Sequence, residues 1–175
     1  MRKYILLGFS IACITLVSCK KETKIPASGT VTISSRQIAS GPSYVTYGFS
    51  FSAGAIHKYP GQAVDVIVLA LKPSGDITGI LFTAPDYYTG NFNNTFYSPN
   101  PDSAEVLFNK YLDVTVTDFQ PLTDTLKLGQ VITYKNGANQ YAKMLIKNIN
   151  IVKTDPPYAE VTVQWAFQSS GSTKF

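Results

Sequence analysis

Strict alternation of apolar and polar residues is what most constrains this chain. In Tyr158–Gln168, Val161, Val163, Trp165 and Phe167 fall on one side, and Thr162, Gln164, Ala166 and Gln168 on the other. A period of two is the signature of an extended strand, whose successive side chains point to opposite faces. A strand of this kind has one apolar face and must bury it against a second layer. The alternation recurs in Tyr141–Val152, and at Val31 and Ile33 among threonines. In 43–52, Val45, Tyr47, Phe49 and Phe51 oppose Tyr44, Thr46, Gly48 and Ser50. Ala63–Leu71 is apolar on both faces, as a central strand is.

Ile77–Thr83 and Gln130–Tyr134 predict two further strands, and Asp113–Thr117 a short one. Pro73-Ser74-Gly75-Asp76, Asn136-Gly137 and Lys153–Pro157 are turn signals between strands. Asp102-Ser103-Ala104-Glu105 predicts a capping-box start for a short helix to about Tyr111, with Val106, Leu107 and Tyr111 on its apolar side. The expected fold is all-β: an antiparallel sandwich or open barrel of about eight or nine strands with one short helix. The 11 tyrosines and 10 phenylalanines against only 15% charged residues agree with it.

The N-terminus sets location. Arg2 and Lys3 precede an apolar run, Tyr4–Val17, which is short of the roughly 20 residues a spanning helix needs. The run ends in Leu16-Val17-Ser18-Cys19, which resembles the lipobox of bacterial lipoproteins. The resemblance implies cleavage after Ser18 and lipid, including palmitate, on Cys19. Residues 1–18 are then a signal peptide, 19–28 a polar tether and 29–175 a single β domain. The expected location is the outer membrane, lipid-anchored, on the cell surface or the periplasmic face. Lys20-Lys21-Glu22 resembles the charged tag of surface-exported lipoproteins.

Cleavage also changes the bulk properties. Both cysteines, Cys13 and Cys19, are consumed, so no disulfide forms within the mature chain. Loss of Arg2 and Lys3 lowers the net charge from +4 to near neutrality, which argues against a nucleic-acid partner.

Catalytic groups are scarce. No P-loop, Gly-x-Gly-x-x-Gly or Gly-x-Ser-x-Gly motif is present. The single histidine, His57, lies in the turn-like stretch Ala53–Gly61, and Met144 sits at a core position of its strand. Most carboxylates occupy turns. Asp65 is the exception, because it interrupts an apolar strand: it is either exposed or hydrogen-bonded in the core. The chain reads as non-catalytic.

Residues 84–101 break the alternation with three prolines, a glycine and four asparagines, and read as an irregular loop. Tyr87, Tyr88, Phe92, Phe96 and Tyr97 lie in it and are the candidate ligand contacts. Aromatic rings on a loop stack on flat ligands or sugars. The competing reading is that they seal a sheet edge. Asp102-Ser103-Ala104 and Asp124-Thr125-Leu126 also resemble a short O-glycosylation motif of some Gram-negative anaerobes.

Gln130–Lys147, with Tyr141-Ala142-Lys143 entering a strand, then Val161–Gln168 and the tail Gly171–Phe175, resemble the ending of HmuY-type heme-binding lipoproteins. Tyr47–Gly54 and Val64–Val68 occupy the places of two upstream strands of that family, although its tryptophan before the aspartate is Val64 here. The resemblance implies an all-β fold, heme as the flat ligand and a TonB-dependent receptor as partner. The family's axial ligands do not map: residues 84–130 contain no His, Met or Cys. Tyrosines such as Tyr87, Tyr88, Tyr97 and Tyr111 are side chains of a type that can ligate ferric iron. The alternative is an accessory or adhesin-like lipoprotein of an outer-membrane complex with no heme binding.

Overall fold

The computed structural model describes residues 27–38, 45–85 and 91–175. Its strands are β1 (Ser28–Ser34), β2 (Thr46–Ser50), β3 (Ala55–Tyr59), β4 (Val66–Leu71), β5 (Gly79–Thr83), β6 (Phe92–Tyr97), β7 (Gln130–Lys135), β8 (Tyr141–Val152) and β9 (Tyr158–Gln168). One helix, α1 (Pro101–Lys110), lies between β6 and β7. The strands form two antiparallel sheets, a five-stranded one in the order β1-β9-β8-β7-β6 and a four-stranded one in the order β3-β2-β4-β5. The fold is an all-β sandwich and not a closed barrel.

The core lies between the sheets. Ile33, Val161, Val163 and Trp165 from one side meet Phe49, Phe51, Val66, Val68 and Phe82 from the other. The alternation of β9 is the cause: its even-spaced apolar residues all enter this layer. Phe49 lies 5.1 Å from Trp165 between ring centroids, and Phe51 lies 5.2 Å from Tyr134. Met144 is fully buried, as its position predicts.

Asp65 joins the two sheets. Its carboxylate accepts from the Phe51 amide at 2.7 Å and from the Tyr134 hydroxyl at 3.1 Å. Phe51 follows β2 and Tyr134 belongs to β7, so one side chain ties both layers together. The core reading of Asp65 is the observed one, and the aspartate sits just ahead of β4 rather than inside it. Burial pushes the Asp65 carboxyl above its usual range, and the bonds from Phe51, Tyr134 and Ser50 oppose that shift. Burial and the Asp65 charge push the Tyr134 phenol up as well.

The segment between α1 and β7 closes one side of the sandwich. Gln120 exchanges two backbone bonds with Phe92 on β6, and Thr123 and Leu126 donate to the Phe82 and Ile80 carbonyls of β5. The segment therefore bridges an edge of each sheet. On the outer face of the larger sheet, Ala104 and Phe108 of α1 cover Val131, Leu145 and Ala166. Burial of β8 ends where its pairing shifts, between Ile146 and Asn148.

Six expectations are corrected. Part of the stretch 84–101 forms β6, because the asparagines lie on an edge strand: Asn93 donates to the Asp118 carbonyl, and Asn94 accepts from Gln130. His57 lies within β3, opposite Gly48, and not in a turn. On β2, Thr46 and Ser50 are buried while Tyr47 is exposed, so burial does not follow one face. Asn100, not Asp102, caps α1 by accepting from the Ser103 amide, because Pro101 at the first helical position carries no N–H. The buried side of α1 is Ala104 and Phe108, with Val106 exposed. Residues 113–117 form no strand; Asp113 makes a single bridge to Lys174.

The Asp65 bridge has a defined pH signature. Its folded-state pKa lies above the unfolded value, so the native state holds the proton longer. Stability conferred by the protonated form is complete below the unfolded value of 3.8 and falls as pH rises through the folded pKa. Asp65→Asn is expected to flatten that decline in urea midpoints measured from pH 3 to 7. Asp65→Ala, which strips the Phe51 amide and Tyr134 hydroxyl of their acceptor, is expected to cost about 1–3 kcal/mol at pH 7.

Candidate functional site

Strand directions give the sandwich two distinct ends. Ser28 pairs with Ala166 and Ser34 with Glu160, so the chain enters β1 at the end where β9 finishes. The β7–β8 turn and the C-terminal residues share that entry end, since Tyr141 pairs with Gln168. The β8–β9 connection lies at the opposite end. There it meets the chain leaving β1 and the β4–β5 hairpin.

These three connections enclose a cleft with two lobes. The first, about 220 Å³, is lined by Arg36, Lys72, Asp155, Pro156 and Tyr158 among others. The second, about 530 Å³, is lined by Asp76, Ile77, Ile151 and Lys153. Thr154, Asp155 and Pro157 border both, so the lobes adjoin along the β8–β9 connection.

The backbone around Arg36 is firmly held. The Ser35 amide donates to the Ala159 carbonyl at 2.8 Å, and the Ser35 hydroxyl accepts from the Ala159 amide at 2.8 Å. Thr46 donates to the Arg36 carbonyl. The guanidinium lies over the Tyr158 ring, 5.5 Å from its centroid. A guanidinium over an aromatic face is restrained there by cation–π attraction while its N–H donors remain available. Among the described residues the ion pair is Lys147 with Glu105, on the outer face of the larger sheet. Arg36, Lys72 and Lys153 take part in none.

The aromatic residues singled out by sequence are not gathered into one site. Phe92 is fully buried between the sheets, stacked near Phe82 and Tyr134. Phe96 turns to the outer face and meets Tyr111 edge-on at 5.3 Å. Tyr97 is 54% exposed, with the Lys127 ammonium 5.6 Å from its centroid. The pairing shift between Asn94 and Phe96 changes the facing along β6. Tyr87, Tyr88 and Cys19 lie outside the described residues. The Tyr111 hydroxyl is already engaged, accepting from Thr133 at 2.9 Å, and burial pushes its phenol up.

Lys143, of the Tyr-Ala-Lys sequence, is a structural anchor. Its ammonium donates to the carbonyls of Phe108 at 2.9 Å and Tyr111 at 2.7 Å, closing the C-terminal end of α1. It also lies 4.7 Å from the Phe108 ring centroid and 5.0 Å from that of Phe175. Burial lowers its pKa. Among the described residues no three His, Cys, Asp or Glu side chains group as metal ligands would. No described helix is long and apolar enough to cross a membrane.

Comparison with protein-family models, with curated proteins and with solved structures gives no match. The site therefore stands on its own geometry. Sequence reasoning missed it because Arg36, Lys72 and Lys153 belong to three separate connections. The available signal was a cation beside each: Lys72 before Pro73, Lys153 before Asp155-Pro156, and Arg36 just after an alternating segment.

Lys143→Met keeps the aliphatic stem and removes the ammonium, leaving the Phe108 and Tyr111 carbonyls without their donor. The expected cost is about 1–3 kcal/mol in urea unfolding, with faster amide exchange in the last turn of α1. Unchanged exchange there would contradict the anchoring role.

Proposed function

We propose that the protein is a lipid-anchored binding protein of the outer membrane, held through Cys19, which presents its cleft away from the lipid. The observation that carries this reading is the opposition of the two ends. The chain leaves the Cys19 segment and enters β1 at one end, and the cleft opens at the other. An extended tether from Cys19 to Ser28 reaches at most about 30 Å. A ligand-receiving surface at the far end of the domain would remain clear of the headgroups.

The role is binding rather than catalysis. The cleft offers cations, two carboxylates, a threonine and apolar side chains, and His57 lies on β3, outside its lining. Transfer of the bound ligand to a TonB-dependent receptor is the partner role that the HmuY-type resemblance supports.

Heme fits the described residues poorly. Met144 is sealed in the core, and the His57 Nδ1 lies 3.1 Å from the Ala63 carbonyl on an edge strand. The sequence holds no second histidine to pair with it.

Two measurements test the reading. Cys19→Ala is expected to abolish palmitate labelling and move the protein from the membrane to the soluble fraction; retention in the membrane would count against the anchor. Titration of the mature, lipidated protein in detergent with hemin is expected to give no low-spin, two-ligand Soret spectrum. A stoichiometric Soret shift lost in His57→Ala would instead make heme the ligand.

A further inference from the structure

We propose that the two-lobed cleft is a binding site for an acidic saccharide unit. Its anionic group would be held by Arg36 and Lys72, and its hydroxylated ring would lie in the adjoining lobe. This rests on the reading of the protein as an anchored binding domain and names the ligand class of its cleft.

The cations give the first half of the argument. The guanidinium of Arg36 carries five N–H donors in a planar fork that matches a carboxylate, phosphate or sulfate. Among the described residues none of those donors has a hydrogen-bond acceptor, and no carboxylate lies within ion-pair distance. The fork is nevertheless oriented, because Tyr158 supports its face and the Ser35 and Thr46 bonds hold its backbone. Lys72 lines the same lobe from the β4–β5 connection. Two unpaired cations from different connections thus border one small cavity. Its single carboxylate, Asp155, sits on the boundary with the second lobe, which leaves the first lobe net positive.

The second lobe supplies what a sugar ring needs. Asp76 and Asp155 are acceptors for ring hydroxyls, and the Thr154 hydroxyl, which donates to the Pro156 carbonyl, keeps a lone pair for another. Ile77, Ile151 and Pro157 offer apolar surface for the C–H faces of the ring. A bare inorganic anion would use only the first lobe. A neutral sugar would leave the two cations unpaired.

The test uses the mature, lipidated protein in detergent and saturation-transfer NMR with three probes: glucuronate, glucose and inorganic phosphate. Saturable transfer to the glucuronate ring protons is expected, with glucose at least about tenfold weaker. Phosphate is expected to compete, but less tightly than glucuronate. Arg36→Gln and Lys72→Gln are each expected to weaken glucuronate about tenfold, the size of one lost charge-assisted hydrogen bond. Lys135→Gln removes a cation stacked between Phe119 and Tyr141 at the opposite end, and is expected to leave binding unchanged.

Absence of glucuronate binding would overturn the proposal, as would binding unaffected by Arg36→Gln. Glucose as tight as glucuronate would overturn the role of the cations, and phosphate as tight as glucuronate would overturn the saccharide. Palmitate labelling of the same preparation reads the anchor independently, so failure of the sugar site is distinguishable from failure of the anchored-protein reading.

Discussion

The aromatic layer between the sheets is the interaction on which the rest of this structure depends. Phe49, Phe51, Tyr134 and Trp165 meet there with ring centroids 5.1 to 5.9 Å apart, and Phe92 extends the layer toward β6. Both cysteines precede residue 20, so no covalent link crosses between the sheets. Ring pairs of this kind contribute about 0.5–1.5 kcal/mol each beyond the area they bury. Asp65 adds a polar tie across the layer, between the residue that follows β2 and β7. The ionised form is costly to bury and the bonds it accepts are costly to lose, which makes the position sensitive to substitution in either direction.

That packing also positions the surface. β1 and β9 face β2 and β4, so the connections that leave them at one end are brought together over the same edge of the core. The cleft follows from this convergence. Arg36 is fixed because its neighbour Ser35 is sewn to Ala159 at the start of β9, and Tyr158, next in line, carries the guanidinium. The outer face of the larger sheet is used differently: α1, Lys143 and the C-terminal Phe175 close over it, and the Val114 amide donates to the Thr173 carbonyl to hold the tail.

Strong alternation was readable, and weak alternation was not. Tyr158–Gln168 forms a strand over the expected residues because it carries a long period-two pattern, and Tyr141–Val152, buried on both faces from Ala142 to Ile146, is its antiparallel partner across the proline-bearing turn. Phe92–Tyr97 was obscured by its asparagines, whose low strand propensity is overcome here by edge pairing and side-chain bonds to Asp118 and Gln130. Asp113–Thr117 had the pattern, yet it pairs only with the C-terminal tail, through the Asp113 bridge to Lys174 and the Val114 bond to Thr173. The aromatic cluster misled for a related reason: a shift in pairing sends Phe92 inward and Phe96 outward, and local spacing does not encode that shift. The cleft was beyond sequence reasoning, since its cations converge only through the order of strands in two sheets.

The central proposal is one of orientation: with Cys19 as a lipid anchor, the end bearing the cleft would point away from the membrane. β8 alone, with 12 residues, separates the two ends by about 40 Å. Because both native cysteines precede residue 20, and Cys19 is expected to be acylated, a single introduced cysteine can be labelled selectively. A fluorophore at Lys153→Cys, compared with one at Ser170→Cys, in lipidated protein reconstituted into vesicles carrying a headgroup quencher, tests the claim directly. Weaker quenching at position 153 than at 170 is the predicted result. Equal quenching, or stronger quenching at 153, would contradict it.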